Sequence, residues 1–189
     1  MHDVTPAQDA PTREELHFRR IDMRAWRRSD GLFEVESRLT DQKPKDFLRP
    51  RTDKFVPAGQ ALHDMGVRVV FDGELTVTAI STFTDAAPVN DCWDGGHALQ
   101  AMVGVKMSSG WGKEVRDRLA GERSCTHLRE LLMPMATTAF QALAGLRPNR
   151  AEPLDAAGRP KKIDSCYAYG AEREMVLKFW PEFYRGKKA

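Results

Sequence analysis

No hydrophobic run in this 189-residue sequence approaches the roughly 20 residues that a membrane-spanning helix needs. The first fifteen residues also lack the apolar centre of a secretory signal peptide. Cysteine is scarce, with three residues far apart in the sequence, Cys92, Cys125 and Cys166. An odd, scattered set predicts free thiols or metal ligands in place of a disulfide framework. We therefore expect a cytoplasmic protein that does not enter a membrane.

Neither sign of charge dominates, because 29 basic and 27 acidic residues leave a net charge of +2. Such a balance gives no global field of the kind that attracts nucleic acid or an anionic membrane. The sequence also lacks the glycine-rich phosphate-binding motifs and the Gly-x-Ser-x-Gly hydrolase elbow. We expect neither nucleic acid nor a membrane as partner. A small-molecule substrate is compatible with the sequence, and the oligomeric state stays open.

Residues 1–15 are rich in Pro, Ala and Asp without periodicity, which predicts a flexible tail before a single domain over 16–189. Apolar residues alternate on both sides of Ser29-Asp30-Gly31, as in a β-hairpin. If both apolar sets lie on one face and Gly31 is left-handed, Arg24 lies opposite Glu36. Neighbouring residues of opposite charge then also lie across from each other, which favours this pairing. A second hairpin is predicted around Asp72-Gly73-Glu74, with Leu75, Val77 and Ala79 continuing one face.

Helical spacing follows the second hairpin, in segments near 97–103, 111–119 and 128–143, the last with Pro134 inside it. Two further strands are predicted around Gly170, in 163–170 and 174–180. The predicted fold is α+β: an antiparallel β-sheet built from hairpins and covered on one face by helices.

Cys125 and His127 lie where the strongest helical pattern begins, and they are the first candidate catalytic residues. Free amide groups at a helix N-terminus favour a thiolate, and a nearby imidazole supplies a base. Asp85, after the second hairpin, is the candidate carboxylate partner. The competing interpretation is structural: Cys125 is a small buried hydrophobe and His127 a surface or capping residue.

A mixed metal site is the second possibility. Zinc and iron accept sulfur, nitrogen and oxygen ligands, and the candidate ligands are Cys92, Cys125, His127, Cys166 and His63. No CxxC or HxxxH pair is present to fix the ligand set by spacing alone. The cofactor would be a divalent metal such as zinc or iron.

Five segments, "MRAWRRSDGLFEVESRLTD", "LHDMGVRV", "TDAAPVNDC", "SCTHLRELL" and "IDSCYA", resemble the bacterial proteins of domain of unknown function 2889. This resemblance implies a bacterial protein and no particular activity. The order of elements around Cys92 and Cys125 is also similar to U-type iron-sulfur cluster scaffolds, which place one cysteine after a hairpin and another at a late helix. This chain has no cysteine between those two positions.

The sequence therefore predicts a thiol- or metal-dependent enzyme that acts on a small organic substrate. One alternative is a metal or iron-sulfur cluster carrier. Another is an accessory subunit that binds a protein partner through Trp93, Trp111 or the aromatic C-terminal segment 179–184.

Overall fold

The computed structural model describes residues 11–50, 54–146 and 152–187. The chain divides into two compact units, Met1–Leu146 and Arg147–Ala189, and each is described by itself. Most of the predicted flexible tail, residues 1–10, lies outside the described residues; residues 11–15 are exposed and lack regular secondary structure. The single domain over 16–189 stays a prediction.

A four-stranded antiparallel sheet forms the centre of the first unit. Its strands, in their order across the sheet, are β1 (Phe18–Arg27), β2 (Phe33–Gln42), β5 (Ala61–Phe71) and β6 (Val77–Ala86). The connection between β2 and β5 carries a small two-stranded sheet of β3 (Phe47–Leu48) and β4 (Phe55–Val56). The predicted antiparallel sheet is therefore confirmed.

The first hairpin has the register expected from its charge pattern. Arg24 lies opposite Glu36, and Gly31 in the loop has a φ of +84°. The odd-numbered residues of β2 from Val35 to Asp41 are buried, because this face is covered by helices. The alternation of apolar residues along the strands thus fixes which side chains face the helices.

The helical layer contains α1 (Trp111–Leu119) and α2 (Thr126–Ala144), preceded by the 3₁₀ helices Asn90–Trp93 and His97–Met102. Helix α2 packs against β1, β2 and β5. It buries residues spaced three or four apart, which is the period of a helix face: Leu128, Leu131, Leu132, Met135, Ala139 and Leu143. The predicted α+β fold with one helix-covered face is confirmed.

Trp111 belongs to this core. Only 4% of it is exposed, and its indole N–H donates to the carbonyl of Leu132 at 2.9 Å. The prediction that Trp111 presents an anchor to a protein partner is therefore wrong. Trp93, in contrast, is exposed.

The second hairpin departs from simple alternation. A register shift between Val70 and Phe71 pairs Phe71 with Val77 but Val70 with Ala79. Ile80 is consequently buried, and Ala79 is exposed. The prediction that Ala79 continues the buried face is wrong, because the bulge adds a residue and reverses the phase of the strand.

In the second unit, the predicted strands around Gly170 are absent from the described residues 152–187, which is a correction. The segment forms a 3₁₀ turn, Tyr167–Tyr169, and helix α3 (Glu174–Phe179). Within α3 only Val176 is buried. A short apolar run fits one face of a helix turn as readily as a strand, so its pattern could not decide between them.

The sheet face opposite the helices has an aromatic ring at its centre. Phe83 lies over Gly66, where a methyl group would meet the ring at 2.2 Å and the carbonyl oxygen of Ser37 at 2.3 Å. The guanidinium groups of Arg38 and Arg68 lie 5.6 and 5.7 Å from the ring centroid. This close approach requires glycine at position 66.

We predict that Gly66→Ala destabilises the protein by about 1–3 kcal/mol, because the new methyl group overlaps both a ring and backbone. Gly145→Ala is the matched control, since no atom lies within 4 Å of the added methyl and its φ is −73°. The control should change stability by less than about 1 kcal/mol. Urea unfolding measures the free energy of unfolding of both variants. Equal changes in the two would contradict the close packing of Phe83 over Gly66.

Candidate functional site

Three side chains form a row across the helix-covered face of the sheet. Arg19 on β1 lies opposite Asp41 on β2, and Asp41 lies opposite His63 on β5. All three occupy odd-numbered positions, like the buried residues Leu39 and Met65. Since side chains alternate between the two faces of a sheet, these side chains also face the helices. The strand register therefore places an ion pair, Arg19 with Asp41, beside the imidazole of His63 under the helical layer.

Asp41 is the buried centre of this row, with 1% of its side chain exposed. The Nε and NH2 groups of Arg19 donate to its two oxygens, each at 2.8 Å. His17 Nε2 and His63 Nδ1 each lie 3.0 Å from one of the same oxygens. Burial raises the pKa of this carboxyl, but hydrogen bonds from Arg19 and His17 outweigh burial and lower the pKa to about 2.

His63 and His127 form a pair of imidazoles, with ring centroids 4.1 Å apart and planes inclined by 42°. Burial and the neighbouring charge of His127 lower the pKa of His63. Hydrogen bonding with Cys125 raises the pKa of His127. The two rings are therefore driven to different states, with His63 neutral and His127 the better site for a proton.

Cys125 is the N-cap residue of α2, with extended backbone angles, and it is partly buried. Its backbone N–H donates to the carbonyl of Gly95 at 2.9 Å, and its own carbonyl accepts from Arg129 at 3.0 Å. Burial raises the pKa of the thiol, whereas hydrogen bonding with His127 and with first-turn amides lowers it, and the net shift is downward. This environment favours a thiolate beside an imidazolium.

We call Arg19, Asp41, His63, Cys125 and His127 the Asp41 cluster. Ligand atoms of Asp41, His63 and His127 all lie within 4.8 Å of one another. The structure thus brings together two of the predicted metal-ligating residues, whereas Cys125, two residues before His127, stands outside this three-residue donor group. It also adds a carboxylate and an arginine that the sequence interpretation did not include.

The predicted carboxylate partner, Asp85, lies elsewhere, which is a correction. Its side chain is exposed and pairs with Arg38 at 2.8 Å, and Arg38 also binds Asp64. These residues belong to the sheet face opposite the helices, because Arg38 alternates with the buried Leu39. The carboxylate near the candidate thiol is Asp41.

The other two cysteines differ in their placement. Cys92 is partly buried within the 3₁₀ helix Asn90–Trp93 and does not belong to the described three-residue donor group. Cys166 is exposed in the second unit. Their roles as metal ligands or resolving thiols stay predictions.

The structural interpretation of Cys125 as a packing residue agrees in part with the structure, since Cys125 packs against the core. The interpretation of His127 as a surface residue does not agree, because His127 is partly buried and its ring lies against that of His63. Packing and a chemically specific environment therefore coexist at this helix start.

Comparison with protein families gives one result. The model of the family described as "Protein of unknown function (DUF2889)" matches residues 17–141, which is more than half of the chain. The chain belongs to the DUF2889 family. The matched region of this DUF2889 protein contains every residue of the Asp41 cluster. No curated protein and no solved structure matches the chain, so the similarity to iron-sulfur scaffolds gains no support from these comparisons.

None of the helices in the described part of this DUF2889 protein combines the length and apolar character needed to cross a membrane.

We predict that Asp41→Asn destabilises the protein by about 2 kcal/mol near neutral pH, because the buried carboxylate that accepts from Arg19 and His17 is replaced by a neutral amide. The lowered pKa means that the ionised carboxylate stabilises the fold above about pH 4, the range of an unfolded aspartate. That contribution is lost as the pH falls from about 4 towards 2, so the two proteins should converge there.

Urea unfolding of wild type and Asp41→Asn at several pH values measures this difference. Asp85→Asn is the matched control, because its exposed ion pair should contribute less than about 1 kcal/mol. A constant Asp41→Asn effect across this pH range would show that the carboxylate charge is not the stabilising element.

Proposed function

We propose that this DUF2889 protein is a thiol-dependent enzyme that acts on a small organic substrate, with Cys125 as the nucleophile. The observation that carries the proposal is the position of Cys125, which is the N-cap residue of α2, is only partly buried and lies two residues before His127, whose imidazole lowers the pKa of the thiol. A nucleophile beside a base, with a third group that orients the base, is the arrangement used in covalent catalysis.

Acyl compounds are the substrates that this pair serves most directly. The Cys125 sulfur would form a bond to the carbonyl carbon while an electron pair moves to the carbonyl oxygen. That pair returns as the bond to the leaving group breaks, and His127 gives its proton to the leaving group. Water, losing a proton to His127, would then hydrolyse the thioester and restore the thiolate.

Arg19, Asp41 and His63 would serve as positioning residues in this scheme. Arg19 holds Asp41 through both carboxylate oxygens, and Asp41 fixes the ring of His63 through Nδ1. His63 in turn packs against the His127 ring and limits its orientations. This chain of contacts would hold the imidazole near the sulfur, which reduces the entropic cost of proton transfer.

A bacterial source and a cytoplasmic location are part of the same proposal. The first is supported by the family resemblance, and the second by the three free cysteines, since reducing compartments keep thiols free.

The pH dependence of alkylation tests the thiol directly. With iodoacetamide in metal-free buffer, Cys125 should react at neutral pH with a midpoint below the roughly 8.5 of an ordinary thiol. His127→Gln should move this midpoint upward and slow the reaction at pH 7 by about tenfold, because one pKa unit changes the thiolate fraction tenfold. Peptide mass spectrometry follows Cys92 and Cys166 in the same sample, and their rates should not change.

If Cys125 is unreactive in the folded protein, or if its alkylation has the same pH midpoint with and without His127, its role as the nucleophile is refuted. Turnover is tested with p-nitrophenyl acyl esters and acyl thioesters. Cys125→Ala should abolish both the acyl intermediate and turnover, whereas Cys166→Ala should retain them.

A further inference from the structure

One nitrogen in the Asp41 cluster lacks a partner. His63 Nδ1 lies 3.0 Å from the Asp41 carboxylate, so this nitrogen carries the proton that is donated. His63 Nε2 is then left with a lone pair. It is buried and has no hydrogen-bond partner among the described residues. A buried acceptor without a donor is costly, and in native proteins it usually indicates a bound group or water.

The kind of ligand that this nitrogen suits follows from the way His63 is held. An imidazole that donates one N–H to a carboxylate, while the other nitrogen stays bare, has the arrangement of a metal-binding histidine. The carboxylate fixes the tautomer and makes the ring a stronger ligand. Here that carboxylate is Asp41, which Arg19 already binds through both oxygens.

A second imidazole lies beside the His63 ring, and a thiol stands close to it in the sequence. The His127 ring is 4.1 Å from the His63 ring, centroid to centroid, and Cys125 precedes His127 by two residues at the start of α2. Two imidazoles and one thiolate form a ligand set for zinc and similar ions, whereas magnesium and calcium prefer oxygen. Ligand atoms of His63 and His127 lie within 4.8 Å of each other, and zinc would hold each donor at roughly 2.0–2.3 Å.

We propose that His63, His127 and Cys125 bind one zinc-class divalent ion, that Asp41 orients His63 for this purpose, and that the ion reversibly blocks the thiol. On binding, the Cys125 sulfur and one nitrogen of each imidazole donate electron pairs to the metal, and any proton that Cys125 or His127 carries is released to water. The blocking effect rests on the function proposed above. The binding itself does not depend on that function.

Isothermal titration of the full chain, stripped with EDTA and then dialysed, tests the binding with zinc chloride. We expect one zinc ion per chain and no measurable binding of magnesium. His63→Gln should weaken zinc binding by at least about 100-fold. Asp41→Asn should weaken it by about 10- to 100-fold, as loss of a group that orients a ligand does.

His97→Gln is the matched control, because the side chain of His97 is 84% exposed and its Nε2 lies 3.9 Å from a carboxylate oxygen of Asp94, outside the cluster. It should bind zinc as wild type does, and circular dichroism should show that every variant is folded. Absence of stoichiometric zinc binding, or equal weakening by His63→Gln and His97→Gln, would overturn the site.

Alkylation of Cys125 separates the two proposals. Zinc at saturating concentration should slow modification of Cys125 by more than about tenfold, and EDTA should restore the rate. Zinc binding without this protection would overturn the blocking role and the sulfur ligand. A Cys125 that resists alkylation in EDTA, while zinc still binds through His63, would refute the thiol enzyme and leave the metal site standing.

Discussion

The buried carboxylate of Asp41 is the interaction on which both the sheet edge and the candidate site depend. A carboxylate with 1% of its side chain exposed loses most of its hydration, and that loss is offset only where charged donors replace the water. Arg19 supplies two such donors from the neighbouring strand. The pair therefore links the register of β1 and β2 to the electrostatics of the face beneath α2.

The same carboxylate sets the states of the two histidines. By accepting from Nδ1 of His63, Asp41 leaves the bare nitrogen of that ring directed away from itself. His127 has a different neighbour, Cys125, and the two groups favour each other's charged forms. Neighbouring imidazoles that would otherwise titrate together thus have pKa values shifted in opposite directions, downward at His63 and upward at His127.

Local rules were sufficient to predict the first hairpin and part of the site. The register that pairs Arg24 with Glu36 also pairs Arg19 with Asp41, so that contact was already implied by the sequence. What the sequence could not provide was the pairing of β2 with β5, because a long connection separates them and no local signal fixes their register. His63 therefore could not be placed beside Asp41.

Bulges and short apolar runs account for the wrong predictions about strand faces and about the strands around Gly170. The shifts in β5 and β6 reverse the phase of alternation, and Asp85 consequently lies on the sheet face opposite the thiol. In the second unit, a six-residue helix with one buried side chain has too little periodicity to be distinguished from a strand. The first failure occurs because one extra residue changes the face that the following side chains occupy. The second occurs because the segment is too short for its apolar pattern to identify a helix.

A segment that contributes no donor side chain to the Asp41 cluster packs closely against Cys125. A methyl group at Gly95 would lie 2.8 Å from the Cβ of Cys125, and one at Gly96 would lie 2.2 Å from the hydroxyl of Thr82. Because neither glycine has a side chain, the loop after Cys92 packs closely between β6 and the start of α2. The backbone hydrogen bond from Cys125 to Gly95 fixes this contact. The backbone of Gly95 thus lies against the Cβ of Cys125, and Cys125 is held partly buried at the start of α2.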